Sequence, residues 1–189
     1  VDYRSAPLEF CEVAAMSMEL LTHDFLDEFY SKNDTQRAVR EHLEGIVSIL
    51  AWIATIDAFQ HWIYTNPEHS RTERHDKWLE LGNKFGSILD WSGFEDWRNI
   101  SWQKQLHLFS YPFYYIEYGI AQLGALQMWL QYRDKPEKAL ANYATAMRLG
   151  GSRPLPNLFE AGGMSFDLGR STVQELIDAV REELSKLPA

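Results

Sequence analysis

Apolar residues recur every three or four positions through most of this chain, and no stretch alternates apolar with polar. A 3.6-residue period turns one face of a helix toward a core, whereas a half-buried strand needs a period of two. The spacing therefore predicts an all-α fold. Pro7 suits a first helical turn and opens a helix to about Tyr30, with Ser31-Lys32-Asn33-Asp34 as its exit. Asn33 or Asp34 caps a second, long helix to about Tyr64, halted by Asn66-Pro67. Ser70 caps a third, through Trp78 and Phe85 to about Leu89. The segment DWSGFEDWRNISWQ holds Trp91, Trp97 and Trp102 without a clean period, which predicts an irregular, aromatic-packed connection. Further helices are expected over about 112–132 and over 136–149, the latter closed by Gly150-Gly151. A short helix over 155–161 and a last amphipathic helix capped by Ser171 complete the chain.

Composition narrows the class further. The 189 residues suffice for one helical region, 1–189, with a sizeable core, and 46% hydrophobic with 14% aromatic residues is the balance of a folded chain. A formal charge of −9 argues against a nucleic acid or an anionic membrane as partner. A single cysteine, Cys11, excludes an intrachain disulfide and a cysteine metal cluster, and fits a reducing compartment. No apolar run approaches the roughly 20 residues of a membrane span. The longest, Ile46 to Ile56, holds Ser48 and Thr55. The opening VDYRSAPLEF has neither an initiator Met nor a signal-peptide flank, and reads as a piece of a longer polypeptide.

The first helix poses a chemical question. Glu12, Met16, Glu19 and His23 lie at i, i+4, i+7 and i+11, one narrow stripe. The rest of the circumference is apolar nearly all round, from Phe10 and Cys11 to Phe25 and Phe29. Carboxylates buried without partners would cost several kcal/mol or be driven to protonate. Either the stripe faces solvent, or the two glutamates have partners such as a metal, a histidine, an arginine or a water-filled cleft. None of the six histidines begins His-Glu-x-x-His, and no glutamate has a histidine three residues later. If the glutamates do serve a metal, the chain can offer part of such a site, but not a whole one.

A second constellation is HLFSYPFYYIEYG. It places His107 before Tyr111, Tyr114, Tyr115 and Tyr118, and a continuous helix would set Tyr111, Tyr115 and Tyr118 on one face. Phenols and an imidazole suit an oxyanion or a peptide backbone; an aromatic packing helix uses the same residues. Asp57 and His61, one turn apart, read as a mutually satisfied pair. Cys11 reads as a small core residue, and Gly162-Gly163 as a connector.

Two segments together resemble a known family. PLEFCEVAAMSMELL is similar to the segment that follows the His-Glu-x-x-His helix in the thimet oligopeptidase / oligoendopeptidase F zinc metallopeptidases. HLFSYPFYYIEYGIAQLGALQMW resembles their later His/Tyr-rich segment, which faces substrate. AFQHWIY and ALANYATAMRLGG…LPNLFEAGG resemble the bacterial oligoendopeptidase branch, so the likeness runs along essentially the whole chain.

The resemblance implies roles. Glu12 would be the third ligand of one zinc ion, and Glu19 a carboxylate that orients a ligand histidine from behind. His107 would contact substrate near the scissile carbonyl. Tyr114, Tyr115 and Tyr118 would overlap the tyrosines that stabilise the tetrahedral intermediate, and Tyr111 would touch substrate. Ala15 departs from a frequent serine. The two zinc histidines and the water-activating glutamate would lie upstream of Val1. The implied protein is a cytoplasmic enzyme cleaving short peptides, with this chain as its C-terminal part. Alone, the chain is expected to be inactive, to hold no zinc tightly, and to self-associate through apolar surface meant for the missing portion. The rival is a non-enzymatic helical module that binds peptides or a protein.

Overall fold

Helix is the only regular structure among residues 3–86 and 89–188, which the computed structural model describes. Nine α-helices follow one another: α1 Leu8–Leu21, α2 Lys32–Thr65, α3 Arg71–Phe85, α4 Glu95–Ile100, α5 His107–Ser110, α6 Ile116–Asp134, α7 Pro136–Leu149, α8 Leu155–Ala161 and α9 Arg170–Lys186. The chain divides into two compact units, one of residues 1–46 with 117–189 and one of residues 47–116.

The discontinuous unit is built around α6, whose Ala121, Gln122, Leu123, Gly124, Ala125 and Leu126 are all buried. Phe10, Val13 and Leu21 of α1, Ala139 and Ala146 of α7, and Leu158 and Phe159 of α8 pack with Met128 in one core. Gly124 permits this approach, because a Cβ there would meet Phe159 at 2.9 Å and Val13 at 3.0 Å. The Tyr143 hydroxyl donates to the Ala14 carbonyl at 3.2 Å and ties α7 to α1. Gly162 and Gly163 form a pinned connector, since Gln131 donates to both their carbonyls and Gln127 pairs twice with the Ser165 backbone. The Arg40 guanidinium caps the end of α9 on the carbonyls of Leu184, Leu187 and Pro188, where unsatisfied C=O groups favour a cation.

The continuous unit, residues 47–116, is aromatic. Ile56 and Phe59 of α2 pack with Trp78 and Leu81 of α3 and with Trp102. The Trp78 indole donates to the Arg98 carbonyl at 3.1 Å and to the Ser101 hydroxyl at 2.9 Å. By length and composition alone α2 would reach across a bilayer. A core helix passes the same test; Ile53, Ile56 and Phe59 are buried, and 33% of the apolar window is buried in all.

Several boundaries differ from the spacing. The first helix does not run to Tyr30: it ends at Leu21 and tightens into a 3-10 segment, Thr22–Glu28. The Thr22 hydroxyl donates to the Glu19 carbonyl, a local bond that competes with the α-helical ladder. Ser31, not Asn33 or Asp34, starts α2, accepting the Asp34 N–H at 3.3 Å. Ser70 forms a capping box with Glu73 as expected of a cap, but α3 stops at Phe85. The 90–103 segment is not irregular throughout: it contains α4, followed by a 3-10 turn, Ser101–Lys104. Arg170 rather than a residue after Ser171 opens α9, and Asp167 accepts from the Gly169 N–H and the Thr172 hydroxyl there. The helices over 136–149 and 155–161 have the expected bounds.

Candidate functional site

Glu12 projects from the middle of α1, and its side chain is half-buried. Among the described residues it makes no hydrogen bond and no ion pair. Two further carboxylates act on the same region. At the start of α6, Glu117 has one oxygen, Oε2, shielded from water without a hydrogen-bond partner, while the rest of the side chain stays partly exposed. Burial first, then the charges of Glu9 and Glu12, push the Glu117 carboxyl above its usual range. An added cation would relieve both effects. The open side of α1 takes in Glu19 of the carboxylate stripe together with apolar residues outside it. Leu8, Cys11, Ala15, Met18 and Glu19 are exposed, whereas Glu12, Met16 and His23 are half-buried. Cys11 therefore lies outside the core, contrary to its apolar setting in sequence.

Glu19 has a histidine partner within the chain. Its Oε2 lies 3.6 Å from His42 Nε2, and His42 Nδ1 lies 2.7 Å from His23 Nε2. The two rings meet edge-on at 4.9 Å. Burial and then the neighbouring His42 lower the His23 pKa to about 4, against a weaker upward pull from Glu183. Burial also lowers His42, opposed by Glu19. Between pH 6.5 and about 4 the unfolded chain binds a proton at His23 that the folded chain does not. Stability should therefore fall as pH falls through this window. Because the ring is only partly buried, the expected loss between about pH 7 and about pH 5 is about 1 kcal/mol. Urea midpoints at the two pH values measure it, and the difference should shrink in His23→Gln. An equal drop in that variant excludes His23 as the source.

The aromatic constellation lies in the 47–116 unit, except for Tyr118 in the first turn of α6. Its geometry is not a helical face. α6 starts at Ile116, so Tyr111, Tyr114 and Tyr115 precede it. Pro112 removes a backbone donor and disfavours helix at Tyr111, which sits at φ −141° and ψ 71°. Phe113 takes the left-handed φ of 60°, and its N–H donates to the buried Gln60 Oε1 at 3.0 Å. The resulting loop folds the tyrosines around His107. The Tyr115 ring stands edge-on at 4.9 Å, Tyr114 stacks at 5.9 Å and 14°, and Tyr111 lies at 6.4 Å. His107, Tyr114 and Tyr115 are half-buried, while Tyr111 is 60% exposed. His107 Nδ1 lies 2.8 Å from Gln105 Nε2, and Gln105 Oε1 accepts the Trp52 indole N–H at 3.2 Å.

The sequence matches the model of peptidase family M3 over residues 1–175. The chain belongs to peptidase family M3. Three solved structures share its fold. Pz peptidase A, solved with an inhibitor, is 31% identical with a TM-score of 0.88. A protein assigned as an oligoendopeptidase F is 29% identical with a TM-score of 0.84, and one from Bacillus anthracis is 27% identical with a TM-score of 0.77. Each match covers 98% of this chain but only 33%, 33% and 30% of the other. The M3 chain thus spans about a third of the proteins it resembles. No curated protein sequence matches it.

Members of family M3 are metallopeptidases in general, and the donor set of this M3 chain fits one share of a metal site. Glu12 is a hard, unpartnered carboxylate in an acidic locale, the type of oxygen ligand zinc accepts. Among the described residues no three His, Cys, Asp or Glu side chains are grouped to hold an ion. Asp57 and His61 do not add one: they pair with each other at 3.6 Å on adjacent turns of α2. Sequence reading missed Gln105, Trp52 and His42. Nothing in their spacing marks them, because their partners come from other elements.

Proposed function

We propose that this chain is the C-terminal, all-helical part of a cytoplasmic zinc oligoendopeptidase that hydrolyses short peptides. The observation that carries this reading is Glu12, a half-buried carboxylate without a hydrogen bond among the described residues, on a chain that belongs to a peptidase family. Glu12 would supply one zinc ligand, with two histidines and a water-activating glutamate contributed by an upstream His-Glu-x-x-His segment. Bound zinc supplies Lewis-acid polarisation of the scissile carbonyl. Glu19 would orient a ligand histidine by accepting its N–H. His107, with Tyr114, Tyr115 or Tyr118, would donate hydrogen bonds to the oxygen on which negative charge develops. Tyr111, the most open of the phenols, would hold the substrate backbone. By itself the chain would hydrolyse nothing and hold zinc weakly, and its exposed Leu8, Met18, Phe25 and Phe29 would favour self-association.

The test uses the full-length protein. It should cleave an internally quenched peptide, lose that activity in a chelator and regain it with stoichiometric zinc. Turnover that survives complete metal removal would favour a different chemistry. Peptide binding without any cleavage by zinc-loaded protein would favour the non-enzymatic module.

A further inference from the structure

We propose that Trp52 and Gln105 are positioning residues that hold His107 as the tautomer protonated on Nε2. The inference deepens the reading of His107 as a hydrogen-bond donor in peptide hydrolysis and rests on it for its catalytic consequence. Gln105 follows the 3-10 turn Ser101–Lys104, and its amide lies between an indole and an imidazole. The Trp52 Nε1–H, 3.2 Å from Gln105 Oε1, is a donor only. The amide oxygen must therefore face Trp52, and the NH2 group must face His107 Nδ1 at 2.8 Å. An amide NH2 only donates, so Nδ1 has to accept. A neutral imidazole whose Nδ1 accepts carries its proton on Nε2. The flipped amide would set its NH2 against the indole N–H, donor against donor, and lose the bond to Trp52.

Each member of this relay is held in place. Trp52 meets Trp78 edge-on at 5.6 Å and 90°, and the Lys104 ammonium lies 5.3 Å over its ring. The His107 ring is fixed between the Tyr115 edge contact and the Tyr114 stack. Rotamer and tautomer are thus both set before substrate arrives. A donor aimed in advance stabilises developing charge without reorganising at the moment of reaction.

The experiment uses the full-length protein with 15N-labelled histidine. Wild type should show the Nε2–H pattern at His107. Gln105→Glu, isosteric but an acceptor, should move the proton to Nδ1. Turnover of a quenched peptide should then fall about a hundredfold with little change in KM. Gln105→Met keeps the volume without a polar group, and should give a mixture of tautomers even if the glutamate variant folds poorly. An Nδ1–H pattern in wild type, or an unmoved Nε2–H pattern in both variants, overturns the proposal. A tautomer switch with undiminished turnover upholds the relay and overturns the donor role of His107 instead.

Discussion

If Glu12 is the proposed zinc ligand, replacing it by Gln in the full-length protein should abolish zinc binding and lower peptide turnover by at least about a thousandfold, yet leave the metal-free fold as stable as before. The magnitude follows from the charge stabilisation a metal supplies: several kcal/mol, at 1.36 kcal/mol per tenfold in rate, gives roughly three decades or more. The expected indifference of the fold is the more telling half. Glu12 makes no hydrogen bond or ion pair among the described residues, so the amide breaks no internal contact. Its charge also raises the Glu117 carboxyl, and removing it relieves that repulsion. Metal analysis, turnover and an unfolding midpoint measured in chelator separate the three effects. Glu19→Gln is the control, because a carboxylate behind a ligand typically contributes only 10- to 100-fold. Full zinc content and full turnover in Glu12→Gln would remove Glu12 from the site and restore the plain reading of a half-exposed helix face.

The contrast between Glu12 and the tyrosines shows what spacing can and cannot convey. The 3.6-residue period located α1, α7 and α8, and it placed Glu12 and Glu19 on a common stripe. Those are local properties, set by neighbours within one or two turns. The same period failed over 112–115, where a helix was expected and a loop is found. The decisive bond there joins the Phe113 N–H to Gln60, far away in sequence and buried in α2. Pro112 gave a local warning, but the left-handed Phe113 depends on that distant acceptor. Likewise the sequence does not say which partner Glu19 meets, and it acquires His42 because Leu21 ends α1 and the chain returns in α2. Exposure followed a similar logic. The apolar circumference of α1 predicted burial all round, but Leu8, Cys11, Ala15 and Met18 meet no covering element among the described residues.

The loop geometry changes what should be expected of the aromatic cluster. On a regular helix, Tyr111, Tyr115 and Tyr118 would have acted as a row, and single Tyr→Phe changes would have given similar losses. In the observed loop the three phenols before α6 differ in their relation to His107, with Tyr114 stacked, Tyr115 edge-on and Tyr111 outermost. The Phe series should therefore be uneven. Among Tyr114, Tyr115 and Tyr118, one substitution should lower kcat about a hundredfold with KM nearly unchanged, the signature of a donor engaged only in the transition state. Tyr111→Phe, at an exposed position, should act mainly on KM. On the proposed roles, His107→Ala should cost between about a hundredfold and a thousandfold, since it would remove a charge-stabilising donor without touching the proposed metal ligand. Zinc content should stay at wild-type level in all of them, which separates this cluster from Glu12. If every Tyr→Phe variant and His107→Ala turned over at the wild-type rate, the cluster would be packing alone. Its ring contacts would then account for it fully, at about 0.5 to 1.5 kcal/mol of stability for each well-formed pair.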